Sequence, residues 1–163
     1  MQAPAASADA HTEVHDFTGY WNGTGSRKTI PLGEGPSSAR RTGSILDLHG
    51  TMLLAGQGKP GVGFRADVIA LIDSTTGLTG RAVWTDEHGD QVFSELNGEG
   101  DKSSNHIAGT ILGGSGRYAG ASGAYEFSWS FVIDADDGSI QGEAVGLKGN
   151  VRFAETNAGV QRP

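Results

Sequence analysis

Glycine constrains this chain more than any other residue. There are 27 glycines among 163 residues, more than twice the usual share of about 7%. They follow no three-residue period, which excludes a collagen helix. In the ordered part of the chain they recur within about ten residues almost everywhere, and each costs about 1 kcal/mol inside an α-helix. The longer glycine-free windows, 64–76 and 124–137, carry no helical period either. The first ends in a Ser-Thr-Thr turn and the second alternates apolar with polar residues. Long helices are therefore excluded. Glycines at the ends of apolar runs suit turns that need positive φ. Those inside runs suit bulges and strong coiling of a sheet.

Eight strand-like runs remain, at roughly 18–29, 43–55, 62–73, 78–86, 91–99, 105–113, 121–134 and 139–153. Short strands at regular spacing between turn signals indicate a barrel or sandwich. Asp73-Ser74-Thr75-Thr76-Gly77, Asp86-Glu87-His88-Gly89-Asp90 and Asp134-Ala135-Asp136-Asp137-Gly138 combine Asp with Gly, as hairpin turns do. The expected fold is all-β: a single domain forming a closed antiparallel eight-stranded β-barrel over residues 16–155. A disordered tail is expected at 1–15 and another at 156–163. Order is expected to begin near Phe17. Pro31 to Arg41, rich in Gly, Pro and Ser, reads as a flexible flap bordering a site. Gly116–Gly120 has room for one helical turn.

Hydrophobic residues make up 36% and the net charge is −7. The first suffices for a core; the second disfavours nucleic acid, where affinity comes from neutralising phosphates. The basic residues Arg27, Lys28, Arg40 and Arg41 read as two ends of one loop. No apolar segment reaches the roughly 18 residues of a membrane span. There is no cysteine, so thiolate metal sites and disulfides are excluded. The small, Ala-rich start, Met1 to Ala10, looks like an exported protein after signal cleavage, which implies a periplasmic or secreted location.

Alternation assigns faces. Tyr125, Phe127, Trp129, Phe131 and Ile133 share one face of the seventh run. Leu46, Leu48, Met52 and Leu54 share one face of the second, opposite Asp47 and His49. In the eighth run Glu143 shares parity with Val145, Leu147, Val151 and Phe153. It then points into the barrel, where a carboxylate is costly unless paired or protonated, or it lies at a wet rim.

Several motifs dissolve on inspection. Gly56-Gln57-Gly58-Lys59-Pro60-Gly61 has the dinucleotide-binding spacing but holds a Pro in a hairpin loop, with no helix to open. Gly113-Gly114-Ser115-Gly116 lacks the second glycine of a nucleophile elbow, since Arg117 stands there. The five histidines form no metal-ligand cluster, and no metal or other cofactor is expected. His11 and His15 read as a solvated tail.

The stretch Gly113-Gly114-Ser115-Gly116-Arg117-Tyr118 to Gly123 follows an apolar strand and leads into an aromatic one. It resembles the glycine-rich turn of the allene oxide cyclase-like barrels, a group that includes dirigent proteins and bacterial barrel cyclases. Gly19-Tyr20-Trp21 with Arg152 is similar to the Gly-x-Trp and late Arg of calycins, where the Arg packs over the Trp. Both resemblances imply one small-molecule pocket inside an eight-stranded barrel. The expected function is a cofactor-independent isomerase or lyase of the cyclase type acting on a small, mostly apolar molecule. The alternative is a non-catalytic, calycin-like binding protein. The polar groups offered for such a pocket are Tyr20, Asp47, His49, Arg65, Asp67, Glu95, Tyr125 and Glu143. Of these, Glu143 or Glu95 would move a proton, Tyr125 or Tyr20 would donate a hydrogen bond, and Arg65 would neutralise negative charge. Tyr20, His49, Phe127, Trp129 and Phe131 would contact the ligand. Outward Ile69 and Leu71 would suit a dimer or trimer.

Overall fold

The computed structural model describes residues 13–56, 61–99 and 105–154. The Ala-rich start, His11 and the C-terminal tail lie outside them. Eight strands close one barrel in sequence order: β1 Val14–Glu34, β2 Arg40–Gly56, β3 Val62–Asp73, β4 Gly77–Asp86, β5 Gln91–Gly98, β6 His106–Gly114, β7 Ser122–Asp134 and β8 Ser139–Arg152. Every neighbouring pair is antiparallel, and β8 returns to pair with β1. Two short 3₁₀ turns, Pro36–Ser38 and Gly116–Tyr118, are the helical elements among the described residues.

The eight expected runs correspond one to one with these strands. The first strand differs at both ends. It begins at Val14, so His15 is not tail but strand, paired opposite Val151. It also continues to Glu34, because the β1–β2 hairpin extends past Pro31 with Pro31 opposite Thr42 and Glu34 opposite Arg40. The expected flap over Pro31–Arg41 is thereby reduced to the Pro36–Ser38 turn.

Inward positions alternate as a pleated barrel requires. Leu46, Leu48 and Met52 on β2, Phe64, Ala66, Val68 and Ala70 on β3, and Tyr125, Phe127 and Trp129 on β7 are all buried. Small inward residues let the wall coil tightly. At Gly50 the walls of β1 and β2 approach so closely that a Cβ would collide with the Asn22 carbonyl oxygen. The outward face keeps exposed apolar residues, including Ile45, Ile69 and Leu71; Ile45 sits directly opposite Leu71 across β2 and β3.

One irregularity decides the orientation of the eighth strand. The register slips by one residue between Ala144 and Leu147 against β1 and between Val145 and Lys148 against β7. Gly146 sits there with φ +67°, a left-handed conformation suited to glycine. This is a β-bulge, and one extra residue reverses side-chain parity. Ile140, Ala144 and Leu147 are buried, while Val145 is 50% exposed. Glu143 therefore faces outward, which corrects the inward orientation expected from uninterrupted alternation.

Candidate functional site: two chambers in one barrel

Aromatic side chains divide the barrel interior. At mid-height Met52, Ala66, Ala82, Tyr125, Phe127 and Leu147 leave only about 20 Å³ of space. The ring of Tyr125 lies 4.9 Å from that of Trp84 and rests on Gly109, where a Cβ would collide with it. Its hydroxyl shares a 2.7 Å hydrogen bond with Ser94 Oγ, so both buried oxygens are satisfied. Burial pushes the Tyr125 phenol up to about 12, against the opposing pull of the Ser94 bond. This waist separates a chamber of about 470 Å³ at one end from a chamber of about 260 Å³ at the other.

The larger chamber is floored by Phe64, Trp84, Val92 and Ile111, and its wall includes Phe17, Tyr118, Val151 and Phe153. Its volume falls within the usual ligand-pocket range of about 300–1,000 Å³. Glu13 and Asp16 line it from the start of β1, and His15 and Tyr118 enter among its aromatic residues. His15 is half-buried, points inward with Phe17, and holds its ring 6.0 Å from Phe153. A neutral imidazole offers one donor and one acceptor. Tyr118 comes from the 3₁₀ turn after β6 and is buried.

Behind Tyr118 lies a buried carboxylate. Asp86, at the end of β4, accepts hydrogen bonds from Tyr118 Oη at 3.0 Å and from the amides of His88 at 2.9 Å and Asp90 at 3.0 Å. Arg117 Nε stands 3.3 Å from it. Burial alone would raise the Asp86 pKa. The Tyr118 and amide hydrogen bonds, with the Arg117 charge, outweigh it and hold the carboxyl below its ordinary value. Burial and the hydrogen bond to Asp86 together push the Tyr118 phenol up to about 12. Because its proton points to Asp86, the Tyr118 oxygen has lone pairs to accept a hydrogen bond from an occupant.

The smaller chamber is lined by aliphatic residues of β2, β3 and β5 and by the aromatic row Phe127, Trp129 and Phe131. Trp21 and Trp129 lie with ring centroids 5.3 Å apart. Both lie against Gly23, and Trp129 also against Gly142, which faces Gly23 across β1 and β8. Their indole Nε1 atoms are buried without a hydrogen-bond partner, a situation that costs about 1–3 kcal/mol per donor. At its mouth Asp73 is bound by Arg41. Arg41 and the Thr75 amide hold the Asp73 carboxyl down at about 2.

The sequence-derived candidates divide sharply by face. Tyr125 lies at the waist, and Phe127, Trp129 and Phe131 line the smaller chamber. The others lie on the outer wall. Glu143 meets the exposed Tyr20, whose hydroxyl lies 3.1 Å from Glu143 Oε2 and 2.9 Å from Asn22 Oδ1. Glu95 sits 3.4 Å from Arg81. Arg65 pairs with Asp67 at 3.1 Å, and Asp47 and His49 are exposed. None of these outer-wall groups meets an interior chamber. Arg152 pairs opposite Val14 and Ser122, toward the start of β1, and is exposed. It does not cover Trp21 as the calycin resemblance implied. The cation–π contacts among the described residues are instead Arg27 over Phe131 at 6.0 Å and Arg117 over Tyr118 at 5.9 Å.

Sequence reasoning missed His15, Asp86 and the chamber-facing role of Tyr118. His15 was hidden by its place beside an unpatterned tail. For Tyr118 and Asp86 a signal existed: the glycine-rich turn and the Asp-rich β4–β5 hairpin had to meet at one barrel end.

The fold and interior define a closed eight-stranded antiparallel barrel with a ligand-sized chamber. No protein-family model matches the chain, and no curated protein matches it. Among solved structures, the pterocarpan synthase dirigent protein GePTS1 is similar with a TM-score of 0.50 and 15% identity, over 95% of this chain and 98% of that one. The pterocarpan synthase dirigent protein PsPTS1 gives 0.45 and 16%, over 86% and 97%. The likeness to GePTS1 is one of fold: this chain has the barrel fold of a dirigent protein.

Proposed function

We propose that the protein is a cofactor-independent isomerase or lyase of the cyclase type, acting on a small, mostly apolar molecule in the larger chamber. The observation that carries this is the chamber itself: an aromatic-walled space with His15 and Tyr118 reaching into it and the carboxylates of Glu13 and Asp16 also in its lining. Such a space holds a flexible substrate in one conformer and removes the entropic part of a ring-closing or isomerising barrier. His15 gives or takes a proton. Tyr118, fixed by Asp86, accepts a hydrogen bond from the substrate and orients it. The outer-wall positions of Glu143, Glu95 and Arg65 move the proton-transfer role proposed for the acids to His15. The shared fold with a dirigent protein described as a pterocarpan synthase favours a reaction steered by conformation.

A second reading is non-catalytic capture of the same class of molecule, as in calycins. It is favoured by the carboxylate behind Tyr118, Asp86, being committed to structural hydrogen bonds. The test is incubation with a small-molecule extract of the source organism, followed by native mass spectrometry and analysis of the extract. The catalytic reading predicts a consumed compound and a same-mass or fragment product, lost in His15→Gln. Retention of an unchanged compound favours capture. Neither retention nor consumption contradicts both.

A further inference from the structure

We propose that the smaller chamber is a second binding site, independent of the His15 chamber, for a flat, uncharged aromatic molecule carrying a carbonyl or ether oxygen. Three observations point to it. The space of about 260 Å³ is lined almost wholly by carbon, with Leu46, Leu48, Val68, Ala70 and Ile107 facing the aromatic row. A flat ring there stacks against Phe127 and Trp129 in the offset or edge geometries that aromatic pairs prefer. The waist at Tyr125 and Phe127 closes it from the larger chamber, so the two ends fill separately.

The third observation sets the occupant's polarity. Trp21 and Trp129 both line this chamber, and both indole N–H groups are buried without an acceptor. Native proteins pair nearly all buried donors, so an unpaired couple beside one cavity calls for an acceptor from outside the chain. Each N–H is closed off where it stands, so pairing with an occupant requires the indole ring to turn about its Cβ–Cγ bond as the occupant binds. The occupant is uncharged because the lining is almost wholly apolar; of the charged groups at the mouth, Asp73 is held by Arg41 and Glu99 disfavours an anion.

The three tryptophans make the test direct. Trp84 faces the larger chamber and Trp21 and Trp129 the smaller, so each indole N–H signal in a ¹H–¹⁵N spectrum reports on one end. The probes are 1-indanone and its hydrocarbon counterpart indane. With 1-indanone, the Trp129 or Trp21 indole signal is expected to move downfield at saturation. Indane is expected to produce no such downfield shift. Trp129→Phe, which keeps an aromatic ring and removes the N–H, is expected to weaken 1-indanone roughly tenfold, the scale of one buried hydrogen bond. The wild-type titration with the two probes decides the matter even if that variant folds poorly. No movement of either indole signal, movement of Trp84 alone, or equal shifts with both probes would overturn the proposal.

Discussion

The two ends of the barrel are built from different materials. At the Tyr118 end a polar network fixes the wall: Asp86 gathers a phenol, two amides and a guanidinium, and the chamber in front of it carries His15. At the Trp129 end two indoles lie against Gly23 with no internal hydrogen-bond partner, and the chamber is almost purely apolar. A hydrogen-bonded wall fixes directions, which suits chemistry on an oriented substrate. An apolar wall fixes shape alone. One small barrel can therefore present two distinct interiors, provided that something solid stands between them, and here that is the Tyr125–Ser94 waist.

Breaking the apolar end has the largest expected effect. Trp129→Ala deletes a ring that is 9% exposed and should cost about 3–5 kcal/mol in urea unfolding. Gly142→Ala places a methyl group against that ring and should cost about 1–3 kcal/mol, measured the same way. At the waist, Tyr125→Phe leaves Ser94 Oγ buried without its partner and should cost about 1–2 kcal/mol at neutral pH. The same variant also tests the alkaline limb. Because the folded Tyr125 pKa is raised to about 12 from about 10 unfolded, its contribution is fully present below pH about 10. It is lost as pH rises through about 12. Tyr125→Phe should flatten that decline in part, since Tyr118 titrates there too.

The polar end responds in titration. Asp86→Asn removes the charge and hydrogen bond that add to burial in raising Tyr118, so the Tyr118 phenol should ionise at lower pH, read from tyrosinate absorbance. The smallest effect belongs to the Arg41–Asp73 pair at the other rim. The folded Asp73 pKa is depressed to about 2, so its contribution is present above the unfolded value of about 3.9. It is lost as pH falls through about 2. In urea unfolding across pH, Asp73→Asn should lower stability above about pH 4, remove that part of the acid limb, and leave the shape of the profile above about pH 5 unchanged.

The strand pattern was legible because turn chemistry and alternation agree along most of the chain. The β7 row is an example: Tyr125, Phe127 and Trp129 alternate with Glu126 and Ser128, and all three rings point inward. The site was less legible because parity is a counting argument, and one bulge defeats it. Nothing local marks Gly146 as the place where β8 gains a residue, since glycine is everywhere in this sequence. Glu143 was thus aimed inward when it faces Tyr20 outside. His15 illustrates the opposite error. A strand's first residues carry little pattern of their own, and only pairing with β8 reveals that this imidazole enters the barrel.

The central claim is that the larger chamber is where an occupant sits beside His15. The most direct measurement is an NMR titration of labelled protein with 2-naphthol, run on wild type and on two rim variants. Val62→Trp narrows the mouth of the larger chamber and Leu78→Trp that of the smaller, since each residue lines its own rim. The account predicts that the His15 ring and Trp84 indole signals move together, that Val62→Trp abolishes the movement, and that Leu78→Trp does not. Absence of any movement in the wild type, or movement that survives Val62→Trp and disappears in Leu78→Trp, would contradict it.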